Sequence, residues 1–192
     1  MNFGQLGRMG VMPSIKRALS IEGWMAECEL NWLATQASTR HRILEVGSWK
    51  GRSTRAMADN LPVGGVLYAV DTWKGQLTQE VHQKEITAHE EGWLLAEFKR
   101  NLSGLNNVVT IQMTSLEAAN KFRGESFDMI FIDGSHDYED VKADILAWLP
   151  LLSPGGVFCG HDYTWSAHVA RAVNECIAQH RIAAESIWVM EA

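Results

Sequence analysis

The chain has 192 residues, 46% of them apolar, which is enough for one domain with a full core. A formal net charge of −6 argues against a nucleic-acid partner, which usually meets a basic face, and no run approaches the roughly 20 apolar residues of a membrane span. Cys28, Cys159 and Cys176 stand far apart and in no C-x-x-C pair, so neither a disulfide framework nor a zinc knuckle is written, and Met1 to Gly10 lacks the apolar core of a signal peptide. The expectation is a single cytoplasmic domain over residues 1–192, with no nucleic-acid or membrane partner and with room for a homo-oligomer.

Residues 1–41 read as an N-terminal helical segment. It is locally basic at Arg8, Lys16 and Arg17 and interrupted at Pro13, then amphipathic from Ile21 to about Ser38, with Ile21, Met25, Cys28, Trp32 and Leu33 on one face for core packing. The stretch Arg42 to Thr54 is the most informative. An apolar run of Ile43, Leu44 and Val46 carries one acid, Glu45, stops at Gly47, crosses to Gly51 and meets Ser53, a good first residue for a helix. A buried strand feeding a helix through a glycine turn is a ligand site in open parallel sheets. Trp49 stands where a dinucleotide fingerprint needs its second glycine, and Gly51-Arg52-Ser53 lacks the P-loop lysine, so both phosphate ligands are excluded.

A helix from Ser53 to about Asn60 ends before Pro62 and the turn at Gly64-Gly65. The second strand, Val66 to Val70, delivers Asp71 and then Thr72. An acid there, about twenty residues after Gly51, accepts both ribose hydroxyls of a nucleoside. Residues 74–105 are more than one crossover helix requires and are expected to form a lid or substrate-facing insertion, with Trp73, Trp93 and Trp165 as candidate pocket walls. The third strand, Val108 to Met113, leads to Ser115 and a helix from Leu116 to Phe122. The fourth, Phe127 to Ile132, exits through Asp133-Gly134-Ser135-His136 into an amphipathic helix closed by Pro150. The fifth, Val157 to Gly160, exits through His161-Asp162-Tyr163. A helix from about Ala167 to Gln179 and a strand from about Ser186 to Met190 finish the chain.

The fold class is therefore α/β, a Rossmann-like, doubly wound, mostly parallel sheet with helices on both faces, and the few residues after Gln179 point to a truncated sheet edge. Asp133, His136, His161 and Asp162 all leave strand ends beside the first strand. Two acids and two imidazoles at a cleft mouth call for a metal, a proton relay or both. His82, His89, His168 and His180 are expected on the surface.

The pattern acid-x-Gly-x-x-x-Gly at Glu45, Gly47 and Gly51 resembles the first motif of the class I S-adenosylmethionine (SAM) methyltransferases. Over roughly Ile43 to Tyr163, and with the cluster from Asp133 to Asp162, the chain resembles the catechol-type, metal-dependent O-methyltransferases. It is more closely similar to the bacterial cephalosporin-hydroxylase-like and sugar O-methyltransferase group. The resemblance implies S-adenosylmethionine as cofactor. Its amino-acid end would lie on Gly47, Ser48, Trp49, Gly51 and Asp133, with Glu45 toward the ammonium and Ser53 toward the carboxylate. Asp71 and Thr72 would hold the ribose, and Ser115, with Met113, the adenine.

The resemblance also implies a divalent metal, Mg²⁺ or Mn²⁺, on Asp133, His161 and Asp162, and a hydroxyl acceptor on a small molecule or sugar. The chain departs from the family in two places. His136 stands where a lysine base is expected, and His161-Asp162 replaces an Asp-Asn pair. The catalytic candidates are His136, as general base, and Asp133. His161 has a second reading as a residue that orients Asp162, and His136 as a helix-cap contact. Two other classes stay open: a SAM-binding partner protein without transfer activity, and a metal-dependent enzyme of another reaction type, since two histidines and a carboxylate resemble an iron-oxygenase triad.

Overall fold

The structure, a computed structural model, describes residues 13–76 and 80–190, so the basic Arg8 and the glycine-rich start of the chain lie outside the described residues. The elements in order are α1 (Lys16–Leu19), α2 (Glu27–Ala37), β1 (Arg42–Val46), α3 (Arg52–Ala58), β2 (Val66–Asp71), α4 (Glu80–Thr87), α5 (Trp93–Asn101), β3 (Val108–Gln112), α6 (Ser115–Lys121), β4 (Phe127–Ile132), α7 (Tyr138–Trp148), a single 3₁₀ turn (Leu149–Leu151), β5 (Leu152–Gly160), α8 (Ala167–Cys176), β6 (His180–Ala184) and β7 (Ile187–Met190).

The strands form one sheet in the order β3-β2-β1-β4-β5-β7-β6, with β1 to β5 parallel and β7 antiparallel to both its neighbours. The central strands β1 and β4 are almost continuously apolar, as burial on both faces requires. On one face Leu30, Leu33, Met57 and Phe98, from α2, α3 and α5, pack on Ile43 and Phe131. On the other, Ile145, Trp148 and Val173, from α7 and α8, pack on Leu44, Ile130 and Phe158. The winding direction reverses between β1 and β4, which opens a crevice at their carboxyl ends.

Three expectations are corrected. The sheet edge is not truncated. α8 stops at Cys176, short of Gln179, and the residues after Gln179 form β6, which closes a hairpin with β7 around Glu185 at φ 36°. As a half-exposed edge strand, β6 has no apolar alternation to betray it. The amphipathic helix expected from Ile21 also begins later than the pattern suggests, as α2. Ile21 and Met25 precede α2, so a periodicity counted from them has the wrong phase. The buried face is Glu29, Leu30, Leu33, Ala34 and Ala37, and Cys28 is exposed. Finally, residues 74–105 divide in two. Leu94 and Phe98 bury α5 in the core as the crossover between β2 and β3, leaving only α4 beside the crevice. Among the described residues no helix is long and apolar enough to cross a membrane.

Candidate active site

The glycine turn after β1 is built against the neighbouring strands. Gly47 has φ 83°, and a Cβ there would lie 2.0 Å from the Asp133 carbonyl oxygen. Gly51 has φ 90° and lies against Phe98 and Leu102, at 3.1 and 3.4 Å from a built Cβ. Gly47 is thus required by the chain's own packing, and Gly51 by its left-handed backbone. Between them, Ser48 and Trp49 donate their amides to Asp71 Oδ2, each at 2.9 Å, and Trp73 donates its amide to Oδ1 at 2.7 Å. Asp71 thereby staples the end of β2 to the turn, and Trp49 sits at φ 47° to allow it.

Glu45 points away from both cavities at this crevice. It is fully buried on the α3 side of β1 under the hydroxyls of Ser48 (2.7 Å), Ser53 and Thr54, and it lines neither cavity described below. Burial pushes its carboxyl up to about 7; the three hydroxyls oppose the shift and the charge of Asp133 adds to it. Ser53 reaches the crevice but spends its hydroxyl proton on Glu45.

Two cavities meet at Gly47, Trp49, His82, Asp133 and Gly134. The larger, about 660 Å³, is lined by Asp71, Thr72, Met113 and Ser115 and reaches Asp144. Ser115 Oγ accepts from Trp148 Nε1 at 2.8 Å. Asp144, 6% exposed, is pushed up to about 6 by burial, with the Ser115 hydroxyl opposing. The smaller cavity, about 360 Å³, brings together Ser48, Ser53, Glu29, His136, His161 and Asp162 under Trp24 and Trp165. Trp165 is 70% exposed. Trp73 lines neither of these cavities: it is buried on Phe98, with Nε1 donating to the Trp49 carbonyl, while Trp93 stacks on His89. His82 is not a plain surface residue either, because α4 lays its ring on Trp49, with centroids 4.4 Å apart, at the junction of the two cavities.

The strand ends converge as the topology requires. Asp133 Oδ1 and Asp162 Oδ1 lie 3.5 and 3.2 Å from His161 Nδ1, and His136 Nε2 lies 2.7 Å from Asp162 Oδ2. Burial opposes a charge on His161, but the carboxylates of Asp133, Asp162 and Glu29 hold its imidazole up to about 12. His136 is likewise raised by Asp162 against burial. Asp133 is raised by burial, with His161 opposing. One donor atom each from Asp133, His161 and Asp162 falls within 4.8 Å of the others. The two contacts to Nδ1 are near the separation of about 3 Å between adjacent donors bound about 2.1 Å from an octahedral ion. Two carboxylates and one imidazole suit Mg²⁺ or Mn²⁺, so these residues fit a divalent cation.

Sequence reasoning missed three residues of the site. Glu29, 2% exposed, bonds His161 Nε2 at 2.9 Å. Its signal was an acid beside the apolar Leu30, Leu33 and Ala34. Asp144 completes the stripe Val141, Ile145 and Trp148 at helical spacing. His82 carried no local signal.

A methyltransferase family model, Methyltransf_24, described as a methyltransferase domain, matches residues 44–163. An uncharacterised protein of Sinorhizobium fredii, y4gI, is 30% identical over 146 residues, covering 72% of this chain and 15% of that protein, so the chain spans about a seventh of the length of this curated relative. Among solved structures, an O-methyltransferase from Bacillus cereus in complex with SAH superposes with a TM-score of 0.58 at 19% identity, over 91% of this chain and 86% of that one. A putative caffeoyl-CoA O-methyltransferase from Staphylococcus aureus gives 0.59 at 16%, over 87% and 84%. A calicheamicin methyltransferase gives 0.63 at 14%, over 84% and 76%. At these identities the solved structures share the fold.

Proposed function

The chain belongs to the Methyltransf_24 methyltransferase family, and from that premise we propose that it moves the methyl group of S-adenosylmethionine to a hydroxyl of a small molecule or sugar, with a divalent cation held by Asp133, His161 and Asp162. One observation carries this reading. The three donors stand at the smaller cavity, and Asp133 also faces the larger, so a group bound in one cavity can meet a nucleophile bound in the other. S-Adenosylmethionine supplies a methyl on a sulfonium, and the cation supplies Lewis-acid polarisation of the acceptor oxygen.

The chain's own residues do the rest. In the larger cavity Asp71, already accepting backbone amides, offers further carboxylate lone pairs to the ribose hydroxyls, beside Thr72. Ser115 and Met113 edge the adenine end. Gly47, Ser48, Trp49 and Ser53 shape the passage toward Asp133. His136 takes the acceptor proton at its imidazole, and Asp162, 2.7 Å from Nε2, stabilises the resulting imidazolium. Holding donor and acceptor in line is worth roughly 7–11 kcal/mol over free encounter. α4, with His82, covers the acceptor side, and Trp24 and Trp165 present flat apolar surface suited to a sugar or aromatic ring. The donor set has one imidazole and two carboxylates, unlike the two-histidine, one-carboxylate set of iron oxygenases, which favours methyl transfer over that alternative.

The test is transfer of labelled methyl from S-adenosylmethionine to a panel of catechols, hydroxycinnamates and hexosides, in Mg²⁺ and in EDTA. Loss of product with EDTA and in the Asp133→Ala/Asp162→Ala variant is expected. Full turnover by that variant without metal would sink the reading. Binding of S-adenosylhomocysteine with no product from any hydroxyl acceptor would favour a SAM-binding partner protein.

A further inference from the structure

Glu29 lies outside the matched residues 44–163, yet it is among the most enclosed ionisable side chains, 2% exposed. A carboxylate withdrawn from water stays ionised only where hydrogen bonds replace its hydration. Glu29 has them. Oε2 accepts from the Ala26 amide at 2.9 Å, and Oε1 accepts from the Ser186 amide at 3.0 Å and from His161 Nε2 at 2.9 Å. The first two contacts close the start of α2 and the β6–β7 turn. Closing a helix start does not need a buried acid: Glu117 does the same for α6 at the surface. The third contact leads into the site.

An ionised carboxylate can only accept, so the proton of this bond resides on Nε2 of His161. The opposite nitrogen, Nδ1, then faces Asp133 Oδ1 and Asp162 Oδ1 at 3.5 and 3.2 Å. A carboxylate on the far nitrogen is how metal-ligating imidazoles are fixed in orientation and made stronger donors.

We propose that Glu29 is a positioning residue for the divalent-cation site, holding His161 by Nε2–H so that Nδ1 faces the ion together with Asp133 and Asp162. α2, outside the stretch the family match covers, is then part of the site. This inference rests on the divalent-cation reading above.

The experiment is calorimetric titration of the full chain with Mn²⁺ and, separately, with S-adenosylhomocysteine. Glu29→Gln keeps the size and one acceptor oxygen but removes the charge. A 10–100-fold loss of Mn²⁺ affinity is expected, with S-adenosylhomocysteine affinity within twofold of wild type. Mn²⁺ affinity unchanged in Glu29→Gln but lost in His161→Ala overturns the role of Glu29 alone. An equal loss of both affinities marks a purely structural tie and also overturns it. A wild-type chain that binds no Mn²⁺ overturns the cation reading and this inference with it. Should Glu29→Gln fail to fold, ¹⁵N-histidine spectra of the wild type loaded with Mg²⁺ decide: an exchange-protected Nε2–H on His161 with a bare Nδ1 is expected, and the opposite tautomer overturns the proposal.

Discussion

His136 Nε2 and Asp162 Oδ2 stand 2.7 Å apart, although their residues leave different strands, and the contact is made where Asp162 turns through φ 63°. An imidazole held this way is oriented before substrate arrives. His136→Ala should lower kcat by about 10²–10⁴, the usual worth of a positioned general base, while S-adenosylhomocysteine affinity stays within a few-fold. Single-turnover methyl transfer and calorimetry measure the two halves of that statement.

Asp71→Ala should damage folding and cofactor binding together. It leaves the amides of Ser48, Trp49 and Trp73 without their acceptor, at about 1–3 kcal/mol for each one that stays dry, and the costs will not simply add. Asp71→Asn keeps one acceptor oxygen and should recover part of the stability. Urea melts read the first effect and S-adenosylhomocysteine titration the second. A melt unchanged in Asp71→Ala would contradict the staple.

Glu45 makes stability depend on pH in an unusual direction. Its carboxyl is raised in the fold from an ordinary 4.5 to about 7 by burial, against the opposing hydroxyls of Ser53, Thr54 and Ser48. The folded state therefore holds the proton more tightly than the unfolded chain, and this group's contribution is favourable below about 4.5 and is lost as pH rises toward 7. The full difference is on the order of 3 kcal/mol. Glu45→Gln, whose amide the same hydroxyls can serve, should gain on wild type between pH 5 and pH 8 in urea melts. A constant gap between the two proteins across that range would refute the assignment.

Lys50 is 4% exposed and reaches from the glycine turn to Glu22, at 2.8 Å, and to Glu85 on α4. Lys50→Met should loosen α4 more than it lowers global stability. Glu22 is 80% exposed and Glu85 23%, so both can regain water, and the cost should fall well below the roughly 3–5 kcal/mol of stranding a buried charge. Hydrogen exchange over residues 80–87 should quicken, and the acceptor KM should rise with little change in S-adenosylhomocysteine affinity.

The legible parts of this fold were those decided by local pattern. β1, β2 and β4 announce themselves as apolar runs, and the doubly wound topology then places Asp71, Asp133, His161 and Asp162 at one crevice without further information. What local pattern cannot carry is partnership across the sheet. Glu29 reads as one acid on a packing helix until the β6–β7 turn and His161 are seen around it. Trp73 reads as a pocket wall because it falls in a connection outside the strands, but the Trp49 carbonyl draws its indole inward. Glu45 carries the motif's acid, and only the glycine turn and α3 together show that the hydroxyls of Ser48, Ser53 and Thr54 close over it.

The contact between Gly47 and the Asp133 carbonyl has a mechanical consequence. With a built Cβ only 2.0 Å from that oxygen, any larger residue at 47 would press on β4 before it touched a bound ligand. On the proposed function, the turn that meets the cofactor therefore also sets where Asp133 stands. Gly47→Ala should act as a lesion at Asp133, weakening Mn²⁺ binding along with S-adenosylhomocysteine binding, because one backbone contact gauges the distance between the two halves of the reaction.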